Sequence, residues 1–200
     1  MQRRRFGAFL IIGVAIGRRA LADDGLWARI AAGGLVLLMR HAQTEPGIGD
    51  PPGFRLEDCA TQRNLSPAGR ASAVAVGNEL RARGLLRAEV RSSAWCRCRE
   101  TAELLALGPV VHEPALDSFF ENRSREPEQT AALKRLIAGW RGPQVLVLVT
   151  HQVNIAAATG LGTGMGETLV LEPTGDGGRV LARLIPGSGG AAPRLETHRG

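Results

Sequence analysis

The sequence predicts an α/β protein in which a mostly parallel central sheet lies between two layers of helices. Leu35-Val36-Leu37-Leu38-Met39 and Val145-Leu146-Val147-Leu148-Val149 are continuous apolar runs, the pattern of strands covered on both faces. Between and after them, segments with helical start and stop signals alternate with short strand candidates, the order that builds a three-layer α/β/α sandwich. A length of 200 residues suits one domain, and 44% hydrophobic with 22% charged residues excludes a disordered chain.

The elements follow in order. Residues 1–22 read as a signal peptide: Arg3-Arg4-Arg5, an apolar stretch from Phe6 to Gly17, then Ala20-Leu21-Ala22 as a cleavage site. That stretch has 12 residues, short of the roughly 20 that span a bilayer. No other run is longer, so no stable membrane span is expected after cleavage. Arg3-Arg4-Arg5-Phe6 also fits a twin-arginine signal loosely. A periplasmic or secreted location is the expectation, with a single domain over residues 23–200. The first strand, Leu35–Met39, is followed by an irregular Pro- and Gly-rich loop from Glu45 to Asn64. Ser66-Pro67 opens a helix that runs towards Gly84, with Ser as cap and Pro at the first position. Glu89–Ser92 is a short strand, Glu100–Leu107 a helix stopped at Gly108, and Pro127–Gly139 another helix. Val145–Val149 is the second buried strand, followed by a helix over Asn154–Thr159. Strands Thr168–Leu171 and Arg179–Ile185 flank the turn Gly175-Asp176-Gly177-Gly178. After Pro186 the Gly- and Ala-rich chain is expected to fray.

The net charge of +6 does not indicate a nucleic-acid partner. Five arginines and no acid lie within residues 1–22, so the remainder carries +1. The remaining basic residues are interspersed with acids rather than gathered on a stripe. Cys59, Cys96 and Cys98 permit one disulfide and leave one thiol. Cys59 to Cys96 or Cys98 is a plausible bridge in an oxidising space; three buried thiols are the other reading. Cys96-Arg97-Cys98 matches neither a redox nor a zinc pattern.

The chemistry concentrates at strand ends. Met39-Arg40-His41 and Thr150-His151 each place a histidine at the carboxyl end of a buried strand, where open α/β sheets put their reacting residues. Ser92-Ser93-Ala94-Trp95-Cys96-Arg97 also follows a strand and delivers Arg97 to the same end. Two histidines and two arginines suit a doubly charged phosphate: Arg forks hold its oxygens, and a neutral imidazole attacks phosphorus. Gly160–Gly166 lacks the strand-to-helix setting of a dinucleotide fingerprint, and Ser92 and Ser93 lack the glycines of a nucleophile elbow. His112 and His198 read as surface residues, and Trp27, Trp95 and Trp140 as packing residues.

Four blocks together resemble the histidine phosphatase superfamily, also called phosphoglycerate-mutase-like. Leu38-Met39-Arg40-His41-Ala42-Gln43-Thr44 is similar to its R-H-G-x-T signature, and Asn64-Leu65-Ser66-Pro67-Ala68-Gly69 to its L-[ST]-x-x-G helix start. Ser92 to Ala102 is similar to its S-x-x-x-R-x-x-x-T-A segment, and Val147-Leu148-Val149-Thr150-His151 to the strand carrying its second histidine. The resemblance covers about residues 35–185. It implies that His41 is the nucleophile that becomes phosphohistidine, that Arg40 and Arg97 bind phosphoryl oxygens, and that His151 adds a hydrogen bond. The family spacing to Thr101 selects Arg97 over Arg99, and Thr44 is a candidate for supporting the phosphate loop.

No metal and no organic cofactor is implied. Ala42 departs from the motif glycine, at roughly 1 kcal/mol if positive φ is required, and Gln152 stands where a small residue is common. The general acid falls within Leu116 to Arg123: alignment puts Ser118 at its position, with Asp117 and Glu121 beside it, and Glu121 joins the catalytic set. The implied activity is metal-independent phosphomonoester hydrolysis of a phosphorylated small molecule or glycan, with an envelope sugar suggested by export. The loop from Glu45 to Arg63, with Arg55 and Arg63, is a candidate substrate lid. Alternatives are a phosphate-binding protein without turnover, a phosphohistidine phosphatase, a mutase, and a metal-binding protein using Cys59, Cys96, Cys98 and His41.

Overall fold

The structure, a computed structural model, describes residues 24–197; the expected signal peptide and His198 lie outside the described residues. Residues 24–32 form helix α1. Then follow β1 (Val36–Arg40), α2 (Pro67–Ala82), β2 (Ala88–Ser92), α3 (Cys96–Leu105), β3 (Val110–His112), α4 (Glu126–Ala138), β4 (Val145–Thr150), α5 (Gln152–Thr159), β5 (Thr168–Thr174), β6 (Gly177–Ile185) and β7 (Arg194–Thr197). One seven-stranded sheet has the order β3-β2-β4-β1-β5-β6-β7.

The ladders joining β3, β2, β4 and β1 are parallel, and those joining β1, β5, β6 and β7 are antiparallel. The sheet is therefore mixed where a mostly parallel one was expected. The cause is local: β5 and β6 are separated only by Gly175-Asp176, and so short a connection permits only antiparallel pairing.

Successive residues of β1 and β4 face opposite layers, which is why Val36–Met39 and Val145–Val149 contain no polar residue. Leu37, Met39, Val145, Val147 and Val149 pack with α1, α2 and α3 through Ile30, Leu80 and Leu105. Val36, Leu38, Leu146 and Leu148 pack with α4 and α5 through Leu133, Ile137 and Ile155. The expected three layers are present.

Ser66 caps α2 as its sequence indicates, accepting a hydrogen bond from the Gly69 N–H at 3.1 Å. Helix α3 starts at Cys96, four residues before the expected Glu100, and ends at Leu105, with Ala106 rather than Gly108 taking the left-handed turn (φ 52°). Its cap, Trp95, makes no side-chain capping bond, so the start carries no sequence signal. The segment beyond Pro186 does not simply fray: β7 pairs with β6, Leu195 opposite Leu184. Among the described residues, no helix is long and apolar enough to cross a membrane.

Candidate active site

Register assembles the site. Arg40 lies opposite Thr150 across β1 and β4, and Ser92 opposite Val149 across β2 and β4. The ladder continues one step further: the His41 N–H donates to the Thr150 carbonyl at 3.0 Å, and the Ser93 N–H to the Val149 carbonyl at 3.1 Å. Three parallel strands thus end level, and Arg40, His41, His151 and Arg97 all line one cavity of about 480 Å³. Arg97 arrives from the first turn of α3, while Arg99 stays exposed.

Two further residues share this floor: Arg63, expected only as part of a substrate lid, and Asp50, which the sequence does not single out. Arg63, from the loop before α2, donates from Nη1 to Thr44 Oγ1 at 2.7 Å and from Nε to the Gly49 carbonyl at 2.8 Å. Asp50 is a buried carboxylate, its side chain 4% exposed, and both oxygens accept from Arg97 Nη1, at 2.7 and 3.0 Å. Trp95 Nε1 donates to the same carboxylate at 3.0 Å, and the Arg63 N–H at 2.9 Å. Trp95, expected only to pack, also positions an acid. Three guanidiniums against one carboxylate give the floor a formal charge of +2.

Both imidazoles are neutral. His41 is buried, and desolvation, reinforced by the Arg97 guanidinium, lowers its pKa to about 3. Its Nδ1 lies 2.9 Å from the Ala42 carbonyl, so Nδ1 carries the proton and Nε2 keeps the lone pair. His151, held well below the ordinary histidine value first by burial and then by Arg97, has Ser93 Oγ 2.9 Å from Nε2 and Arg97 Nη2 3.5 Å from Nδ1. Its ring braces the Arg97 fork and stacks edge-on against Trp95. Arg40 is lowered by burial, then by Arg63 and Arg97, as expected of like charges gathered in one place.

The remaining sequence candidates separate. Thr44 does not line the cavity; its hydroxyl holds Arg63, which makes it a support of the basic floor rather than a phosphate ligand. Asp117 is turned away as well, accepting from the Ala94 N–H at 2.8 Å and lying 3.1 Å from His112. Ser118 and Glu121 line the cavity, Glu121 exposed at its mouth. Ala42 needs no glycine: among the described residues Ala106 is the non-glycine residue with positive φ, and the Ala42 N–H donates to Thr101 Oγ1 at 3.0 Å.

Cys59 and Cys96 form a disulfide and Cys98 is the buried free thiol. The bridge removes two thiolates from the metal-binding alternative. Burial pushes the Cys98 thiol up to about 12, which makes it unreactive.

The model of the Histidine phosphatase superfamily (branch 1) matches residues 36–123, from β1 through Arg97 to the mouth segment. By that match, residues 36–123 belong to branch 1 of the histidine phosphatase superfamily. Solved structures share the fold. The SixA protein of Agrobacterium tumefaciens is 25% identical at a TM-score of 0.51, over 76% of this chain and 99% of that one. The protein histidine phosphatase SixA complexed with tungstate is 14% identical, with a TM-score of 0.54 over 74% and 95% of the two chains. The mycobacterial glucosyl-3-phosphoglycerate phosphatase bound to VO3 is 18% identical, with a TM-score of 0.55 over 74% and 97%. Among curated proteins, none matches. His151 lies beyond the residues matched by the family model, and joins the site through the β1–β4 register.

Proposed function

We propose that this histidine phosphatase hydrolyses phosphomonoesters in two steps through a phosphohistidine on His41, outside the cytoplasm. One observation carries the reading: a neutral imidazole with a free lone pair faces a floor of charge +2, the complement of a phosphate dianion. In the first step the His41 Nε2 lone pair attacks phosphorus and the bond from phosphorus to the ester oxygen breaks. The departing oxygen takes its electrons and a proton, for which Glu121 is the carboxyl at the mouth without a hydrogen-bond partner among the described residues. In the second step a water molecule passes a proton to the Glu121 carboxylate as its oxygen attacks phosphorus, the P–N bond breaks with its electrons returning to Nε2, and orthophosphate leaves with the imidazole neutral and Glu121 protonated again. Arg40, Arg63 and Arg97 offset the equatorial charge in both steps, so no metal is needed to supply it.

Tungstate and VO3 in the structurally similar proteins are phosphate-like oxyanions and support an oxyanion seat here. Identities this low transfer no substrate. The export half of the reading rests on residues 1–22 and on the Cys59–Cys96 bridge, which suits an oxidising compartment. Turnover of p-nitrophenyl phosphate with chelator present tests the catalytic half. Activity should vanish in His41→Ala and fall about 10²- to 10³-fold in Arg97→Ala, and acid quench should trap phosphate on His41 in wild type. Turnover that survives His41→Ala would sink the mechanism. Fractionation of producing cells tests export, and recovery in the cytoplasm with residues 1–22 intact would refute it.

A further inference from the structure

Seven large apolar side chains are exposed among the described residues, and four of them, Ile48, Leu56, Phe120 and Met165, line the one catalytic cavity. Singly exposed apolar residues are ordinary, but a cluster at a site mouth marks a binding surface. These four come from three separate segments: the loop before α2, the segment before α4, and the loop between α5 and β5. Ile48 is 91% exposed on Gly47-Ile48-Gly49, and a Cβ built on Gly49 would lie 3.6 Å from the Phe120 ring, so two of the segments run close together. The Arg123 guanidinium sits 5.6 Å over the Phe120 ring and helps hold it in place. Phe54, Trp95 and Val153 extend the apolar lining inward, while Glu121, Asn122, Arg125 and Gln152 line the rest. A volume of about 480 Å³ also exceeds the needs of a phosphoryl group and lies in the range of drug-sized ligands.

We propose that this rim receives the alcohol portion of the substrate, which is therefore an apolar alkyl or aryl group rather than a sugar. The inference rests on the phosphatase reading and assigns a leaving-group class to it. With the phosphoryl group on the arginine floor, the ester oxygen faces the mouth, and carbon beyond it meets Ile48, Phe120 and Met165. Transfer of that carbon from water is favourable without a dedicated polar partner, whereas a sugar held against Ile48, Phe120 and Met165 would lose hydroxyl hydration without gaining hydrogen bonds from those side chains.

The test compares kcat/KM for ethyl, butyl and hexyl phosphate with glycerol and glucose phosphates. Alkylphosphonates of the same lengths are titrated in parallel to read binding without turnover. Both series should strengthen by up to about fourfold for each methylene that becomes fully buried, and Ile48→Ser/Phe120→Ser should flatten the slope relative to ethyl phosphate in the same preparation. A naphthyl ester distinguishes aryl from alkyl preference. A flat chain-length series, or a glucose phosphate outrunning hexyl phosphate, would overturn the proposal. Absence of turnover with every ester, ethyl phosphate included, alongside chain-length-dependent phosphonate binding would remove the phosphatase reading and leave the apolar rim standing.

Discussion

Asp50 is the residue whose placement most changes the reading of the site. A carboxylate on Arg97 keeps that guanidinium oriented, and it also occupies positive charge that an incoming dianion needs. Asp50→Asn keeps the shape and removes one negative charge, so vanadate and phosphate should bind several-fold more tightly, measured by calorimetry. Weaker binding would mean that orientation of Arg97 outweighs repulsion. Glu121 bears on the leaving group instead. Glu121→Gln should slow an alkyl phosphate by about tenfold or more while leaving p-nitrophenyl phosphate, whose phenolate departs unaided, nearly unchanged. Equal losses on both esters would assign Glu121 to binding.

Helix α2 and the disulfide set the precision of the two loops around His41. The Gly69 face of α2 passes so close to the loop after β1 that a Cβ there would sit 1.9 Å from the Gln43 carbonyl, and that same carbonyl accepts from the Ser66 N–H at 3.0 Å. Gly69→Ala must therefore move the helix or the segment adjoining His41. It should cost about 1–3 kcal/mol in urea unfolding and lower kcat as well; a neutral substitution would show that the contact is slack. The Cys59–Cys96 bridge spans 37 residues and ties the loop that carries Asp50 and Arg63 to the start of α3. By loop-closure entropy, Cys59→Ser/Cys96→Ser should lower stability by about 4 kcal/mol and raise KM, because the loop that holds Asp50 and Arg63 loses its tether. Unchanged unfolding and unchanged KM would show the bridge to be dispensable.

For the molecule as a whole, the buried histidines make stability depend on pH. The folded value for His41, about 3, and that for His151 both lie below the ordinary unfolded value of roughly 6.5. Below pH of about 6.5 the unfolded chain therefore takes up protons that the native site refuses, and stability falls as pH drops towards 3. Above that window both states are neutral at these rings and the effect is absent. Urea midpoints between pH 4 and pH 8 should show the decline, and His41→Asn should make it shallower. Identical slopes in the two proteins would show that other groups set the acid limit.

How much of this was legible beforehand follows from the range over which each signal acts. An apolar run long enough to be buried on both faces marks a strand without reference to its neighbours, and a histidine directly after it is placed at the strand end by chain continuity. His41, Arg40 and His151 were readable for that reason, as were the Ser66 cap and the α/β layering. Arg63 and Asp50 were not, because a loop without periodicity has no face; the disulfide, Trp95 and the Gly47–Gly49 carbonyls and backbone decide where those side chains end. The motif resemblance points to Thr44 and the alignment to Asp117, but hydrogen bonds with Arg63 and Ala94 take them elsewhere. The turn Gly175-Asp176-Gly177-Gly178 marks the β5–β6 hairpin, but the antiparallel pairing of β5 with β1 and the existence of β7 depend on backbone pairing for which the sequence carries no pattern. Local sequence thus specifies strand, cap and the histidines at the strand ends, whereas the charge around those histidines and the apolar rim above them are sums over segments far apart in the chain, and these exist only once the chain has folded.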